Sequence, residues 1–529
     1  MIPEWAVNEL CLREEVKNWI QDAIKRQRNV PWRGGHDEGT FASSWVGYYL
    51  LTGDRKCLNF LYWLRDSFIE WSKKNQYHGY YPIGETHHQT ETYNNFLGHL
   101  WRAEKTDVNV AVLEDAAHHI GNWVKGIPKW YDWKNHRFRS RWFGTREVKD
   151  YPPFNYESCD HFRLIQMALN TYLATGDNRY LEISRDYADR WCKLILDNEE
   201  LPTILYPTET WLKHATEICE RSTDRLIRRA WRDIKSAQGN VWRYVGGGVI
   251  DTFLDLYYLT HEERYLKALK KIFCKVERAV HSPRIIAKYR YITGDTSYDE
   301  KILNEIKRCN EEPLPTIIMI EATGQYKKKG KLVFRRKFAY RDADGNIKEY
   351  EGPSSEKLLL GYQISGDEEL LNRAMKLAKR KLSLARTCLR DGREHGCGGG
   401  IYLHGVGDEA VHILCSATLG LYKLCGGYQP KVLYYTRRKK SVFRYSEKLG
   451  LPEGVASLLK SASRNGMEIL LYNGLQNDLD IKVKVMDRRV KIENVKVNGV
   501  SQEFNDDSVV VAAENQSVTE VKIDLTPEK

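Results

Sequence analysis

GYYLLTGDRKCLNFL, from Gly47 to Leu61, joins an apolar run to an amphipathic one through Thr-Gly-Asp, and the phrase returns along the chain. It recurs as NTYLATGDNRYLEIS (Asn170 to Ser184), YRYITGDTSYDEKIL (Tyr289 to Leu303) and GYQISGDEELLNRAM (Gly361 to Met375). LWRAEKTD (Leu100 to Asp107) and DLYYLTHEERYLKAL (Asp255 to Leu269) are degenerate copies, and LYKLCGG from Leu421 counts as one more helix end. Glycine suits the left-handed residue that ends a helix, and the following aspartate accepts from the free N–H groups that open the next. Each copy therefore reads as an antiparallel helical hairpin, and about seven such units bury their inner helices together only if they close on themselves. The expected fold is mainly α: an (α/α)6-7 toroid over residues 1–435. Residues 315–350 read as an inserted β-hairpin turning at Asp344-Gly345, and 436–529 as a small all-β domain of five or six strands turning at Asn473-Gly474 and Asn498-Gly499.

Composition narrows the classes. Lys and Arg number 82 against 71 Asp and Glu, a formal charge of +11 that favours anionic partners. The basic residues are dispersed, with no zinc-finger spacing or helix-turn-helix signature, so no nucleic acid is expected. No run of about 18 apolar residues is present to span a membrane. The eleven cysteines are scattered without C-x-x-C pairs, which points to thiols. The first twenty residues carry acids and lack the apolar core of a secretory leader, so a cytoplasmic protein is expected, or a secreted or periplasmic one if a leader was removed. Oligomeric state is open.

In a toroid the inner helices run parallel, so their N-termini and positive dipole ends open on one face. Acid, His and Gly recur just before these helices. They are His36, Asp37 and Glu38; then Tyr80, Tyr81, Glu85, His87, His88 and Glu91; then Tyr156, Glu157, Asp160, His161 and Arg163. Trp242, Arg243, Gly246–Gly248 and Asp251 precede or open the fourth, Glu356 stands before the sixth, and His395, Gly398–Gly400, His404, Asp408 and Glu409 come before the last. Any one of these has a plain reading as a helix cap, a packed histidine or a tight loop; their recurrence at one end of successive helices does not.

Paired carboxylates suit glycosidic-bond cleavage, one giving a proton and the other activating water or attacking carbon. Asp37 and Glu91 are the first-choice pair, with Glu157, Asp160, His161 and Tyr156 completing the site. Aromatic rings stack on sugars, and Arg139, Arg141, Arg163 and Arg243 suit a sugar carboxylate. Tyr156, His161 or His87/His88 with Arg163 would equally serve β-elimination. A non-catalytic saccharide-binding scaffold is the third reading. No cofactor is expected; the one metal considered is a divalent cation on His87 or His88 with His161 and a carboxylate, and no H-E-x-x-H-like spacing supports it.

His36-Asp37-Glu38-Gly39-Thr40-Phe41, followed by Leu51-Thr52-Gly53-Asp54, resembles the H-D-x-G-F segment of the unsaturated glucuronyl and rhamnogalacturonyl hydrolases, with one extra residue. Glu91-Thr92-Tyr93-Asn94-Asn95 is similar to their D-T-x-x-N segment, with Glu for Asp. The resemblance covers about the first 110 residues and implies a toroidal glycoside hydrolase acting on an anionic, uronic-acid-containing oligo- or polysaccharide. The C-terminal β-domain departs from that pattern and looks more like the toroid-plus-β layout of polysaccharide lyases.

Overall fold

The computed structural model describes residues 2–309, 312–326, 331–389, 401–441 and 444–528. About half of the chain is helical. The Thr-Gly-Asp links form as their chemistry dictates. Gly53, Gly176, Gly294 and Gly366 end their helices with φ of 64°, 80°, 74° and 73°. Asp54, Asp177 and Asp367 accept from backbone N–H groups of the helices that follow. In the degenerate copy, His261 takes the glycine's left-handed place at φ 57°. Gly53 is required twice over: besides its φ, a Cβ there would stand 2.0 Å from the Leu449 carbonyl oxygen.

Among the described residues, seven inner helices pack in a cycle: Trp45–Thr52, Gly98–Ala103, Phe162–Thr175, Val249–Thr260, Pro283–Thr293, Ser355–Ser365 and Leu403–Leu419, the last returning to the first. Six of them run into an outer helix through the links. The seventh is covered by Glu4–Gln27 from the opposite end of the chain. Arg386 on the last outer helix ties this closure with bonds to Glu15 (2.7 Å) and Asp22 (2.8 Å). No helix among the described residues is long and apolar enough to cross a membrane.

Three expectations need correction. The insertion is a three-stranded antiparallel sheet, Ile317–Tyr326, Lys331–Arg341 and Ile347–Glu349, rather than a hairpin. LYKLCGG is not a helix end. The last inner helix stops at Gly420, and Tyr422–Leu424 pairs with Gly427–Gln429 through a turn whose residues Cys425 and Gly426 both have positive φ (48° and 73°). This hairpin packs against inner helices two, four and five. The C-terminal domain starts with strand Val432–Ser441 and contains two five-stranded antiparallel sheets, not five or six strands in all. Asn498-Gly499 is a hairpin turn (φ 49° and 81°), but Asn473-Gly474 carries the chain from one sheet to the other. The Asn473 side chain is buried there and bonds the carbonyls of Asn477 and Ala513, each at 2.9 Å.

The domain sits on the C-terminal ends of the inner helices. Leu451 N donates to Leu51 O (2.8 Å), Tyr434 OH to Thr418 O (2.9 Å), and Tyr258 and Tyr291 OH to Asp487 (3.0 and 2.7 Å). The N-terminal ends stay uncovered by it, and the candidate residues lie there.

Candidate active site

Two neighbouring groups of charged side chains occupy that end. The first is a histidine wall. Residues Thr86–Thr92 form a helix that passes through a π-turn, Tyr93–Leu97, into the second inner helix. Glu91 lies on this helix and is 2% exposed. His87 Nε2 bonds its Oε1 at 2.8 Å, and His36 Nδ1, from the preceding loop, contacts its Oε2. Thr92 Oγ1 donates to His36 O (2.8 Å), fixing that loop. The His88 ring lies 4.0 Å from the His36 ring, and its Nδ1 faces Glu85 Oε1 at 3.3 Å. Arg229 approaches Glu85 at 3.3 Å and His88 Nδ1 at 3.5 Å. Burial alone would raise the Glu91 carboxyl, but its two imidazole hydrogen bonds hold it well below the usual carboxylate range. Burial, reinforced by His36, lowers the His88 ring to about 4, so it is neutral at physiological pH.

The second group is a pit between the inner helices. A cavity of about 230 Å³ is lined by Asp251, Arg284, Lys288, Glu356, Lys423 and Tyr428, among others. A smaller one of about 140 Å³ shares Asp251, Lys288 and Lys423 and adds Asn94, Asn95 and Arg163. Gly426 and Lys423 place the central hairpin in its lining. Lys288, 1% exposed, donates to Asp251 (2.9 Å) and contacts Asp255 (2.8 Å), one turn apart on the fourth inner helix. Arg284 pairs with Glu356 and, at 3.1 Å, with Asp408. Burial raises Asp251, but Lys288 outweighs it and keeps the carboxyl ionised. Behind it, burial pushes the fully enclosed Asp255 up to about 6 despite the same lysine. The π-turn joins the two groups: Asn94 Nδ2 donates to Arg163 O at 3.0 Å, and both residues line the smaller cavity.

The sequence candidates divide accordingly. His36, His87, His88 and Glu91 come together on the wall, and Arg163 lies in the pit. Asp160 is buried between Arg141 and Arg243 (3.0 Å to the latter); burial would raise it, but the guanidinium groups keep it ionised. Asp37 is 3% exposed, and its carbonyl accepts from Thr40 N. Asp408 faces Arg284, and His404 is buried beside Tyr402. Trp242 is exposed, and Tyr81 is half-buried with its hydroxyl on Gly34 O (2.8 Å). Others go into the framework. Tyr80 is fully buried with its hydroxyl on Ala116 O, and Tyr156 is fully buried against Trp211. Glu157 is buried with Phe138 N and Arg190. His161 is fully enclosed between Ser140 O and Ser158, so it is not a partner of His87 or His88 in a cation site. Glu409 points at Ser355 and Lys381. His395 and Gly398–Gly400 lie outside the described residues.

Sequence reading missed Asp255, Arg284, Lys288, Lys423 and Tyr428. A signal was present: IIAKYRYI sets Lys288 and Arg290, and VIDTFLDL Asp251 and Asp255, into apolar inner helices, where each must find a partner.

No family model matches the chain, and no curated protein matches it. Among solved structures, it is similar to an unsaturated glucuronyl hydrolase from Streptococcus agalactiae at 12% identity and TM-score 0.38, over 78% of this chain and 92% of that one. It is also similar to a GH127 β-arabinofuranosidase at 12% and 0.35, over 99% and 78% of the two chains. A GH127 β-L-arabinofuranosidase from Geobacillus stearothermophilus T6 gives 11% and 0.21, over 99% and 81%. At such scores the likeness carries no functional weight.

Proposed function

We propose that the chain is a seven-hairpin α/α toroid whose pit is the active site of an enzyme hydrolysing glycosidic bonds in an anionic, uronic-acid-containing saccharide. One observation carries this reading: two carboxylates, Asp251 and Glu356, line one cavity together with Arg284, Lys288 and Lys423. Asp251, held ionised by Lys288, is placed to activate water or attack carbon. Arg163, Arg284 and Lys423 offer charge to the sugar carboxylate. A substrate anion that draws Arg284 away from Glu356 frees that carboxyl to carry a proton to the leaving oxygen. Asp37 and Glu91 are almost wholly enclosed, whereas Asp251 keeps 27% of its side chain exposed. Tyr156 and His161 are enclosed, which leaves His87 and His88 as the bases that elimination would use.

The test is a panel of anionic polysaccharides and their unsaturated oligomers, followed by reducing-end release and by the ultraviolet absorbance of a C=C conjugated to the carboxylate. New reducing ends without new absorbance are expected, with Asp251→Asn and Glu356→Gln each slower by ~10²-fold or more. Rising absorbance makes the reaction an elimination. Full activity in both variants removes the assignment.

A further inference from the structure

We propose that His36, His88 and Glu91 form a binding site for a single divalent transition-metal ion of the zinc class. One potential ligand atom from each lies within 4.8 Å of the other two, and this is the one such His/Cys/Asp/Glu group among the described residues. Two imidazoles and one carboxylate are a zinc-type donor set that leaves a coordination position open for water or another oxygen ligand. Bonds of about 2.0–2.1 Å set tetrahedral ligands about 3.3 Å apart, so the widest separation closes by rotation of the half-exposed rings. Calcium and magnesium want oxygen donors and fit this set poorly.

What distinguishes the cluster from three residues that happen to meet is the shell around it. A metal-binding histidine usually has its other ring nitrogen on a carboxylate, and a metal-binding carboxylate is itself hydrogen-bonded. His88 Nδ1 faces Glu85, which leaves Nε2 for an ion, and Glu85 is in turn steadied by Arg229. Glu91 receives His87 on Oε1, leaving Oε2 on the His36 side. Glu85 is fixed by the strand pair Glu85↔Trp142, and His36 by Thr92. The site lies on the wall, outside both cavities of the pit, so it stands or falls independently of the hydrolase reading.

The experiment uses the full chain, stripped by chelator and titrated with Zn²⁺ alone by calorimetry, with Co²⁺ as the visible-spectrum probe. X-ray absorption of the zinc-loaded wild type then counts the ligands. One equivalent of Zn²⁺ bound by two imidazoles and oxygen, without sulfur, is expected. His88→Ala and Glu91→Gln should abolish that equivalent, Glu85→Gln should weaken it ~10–100-fold, and His214→Ala, at an exposed position, should leave it unchanged. Failure of the wild type to bind, a sulfur-rich absorption spectrum, or unchanged binding by folded His88→Ala and Glu91→Gln overturns the proposal. The absorption measurement decides the case even where a variant fails to fold. None of these readouts depends on activity, so a metal-binding protein without saccharide hydrolysis refutes only the previous section.

Discussion

The wall and the pit solve the same problem differently. Each buries carboxylates at the mouth of the ring, and each must offset the cost of taking an ion out of water. The pit does so with Lys288 and Arg284, cations that keep their charge across the physiological range. The wall does so with imidazole rings, His87 and His36 on Glu91. A pit built this way holds a lasting positive field for an anion. A wall built this way offers a neutral ring, His88, beside a buried carboxylate.

The comparison breaks most sharply at Lys288. Lys288→Met leaves Asp251 and Asp255 without their shared cation, and a loss of about 3–5 kcal/mol in urea unfolding is expected. A loss under about 1 kcal/mol would show that the pit carboxylates are solvated or protonated instead.

One buried group from each region, His88 and Asp255, should answer acid with opposite signs. His88 has a folded value of about 4, below the 6.5 of a free ring, so the unfolded chain takes up the proton first. Stability contributed there is lost as pH falls from about 6.5 to about 4. Asp255 has a folded value of about 6, above the 3.8 of a free carboxyl, so the folded chain takes up the proton first. Its contribution rises as pH falls from about 6 to about 4. The expected size is on the order of 3 kcal/mol for Asp255 and less for the partly exposed His88, whose ring the solvent screens. Between about pH 6.5 and 4, the decline of unfolding free energy with acid should become shallower in His88→Gln and steeper in Asp255→Asn. Parallel curves for wild type and both variants would erase the distinction.

The smallest effect belongs to Arg229, which is 39% exposed and stands 3.3 Å from Glu85. Arg229→Met should cost less than about 1 kcal/mol in the same urea measurement, because solvent screens such a pair. A larger loss would mean that the wall, like the pit, leans on a permanent cation.

Much of this was legible along the chain. Thr-Gly-Asp is local chemistry, a left-handed glycine followed by a capping aspartate, and it needs no distant contact to declare itself. His36 and Glu91 were visible as mouth residues because each precedes or opens an inner helix. Their meeting was not, since the two residues are 55 positions apart and come together only through tertiary contacts such as the Thr92 hydroxyl on His36 O. LYKLCGG misled because a hairpin turn and a helix end use the same glycines.

The sequence by itself determined a mainly helical chain of repeated hairpins with a β-rich end, because capping, periodicity and turn chemistry are written within a few residues. Only the tertiary structure decided which of the buried charges face one another. The arrangement that joins Asp251 and Asp255 to Lys288, and Arg284 to Glu356 and Asp408, depends on which helices become neighbours when the ring closes. That closure is a property of seven helices at once: pairing energies between residues from separate helices exist only after all of them have packed.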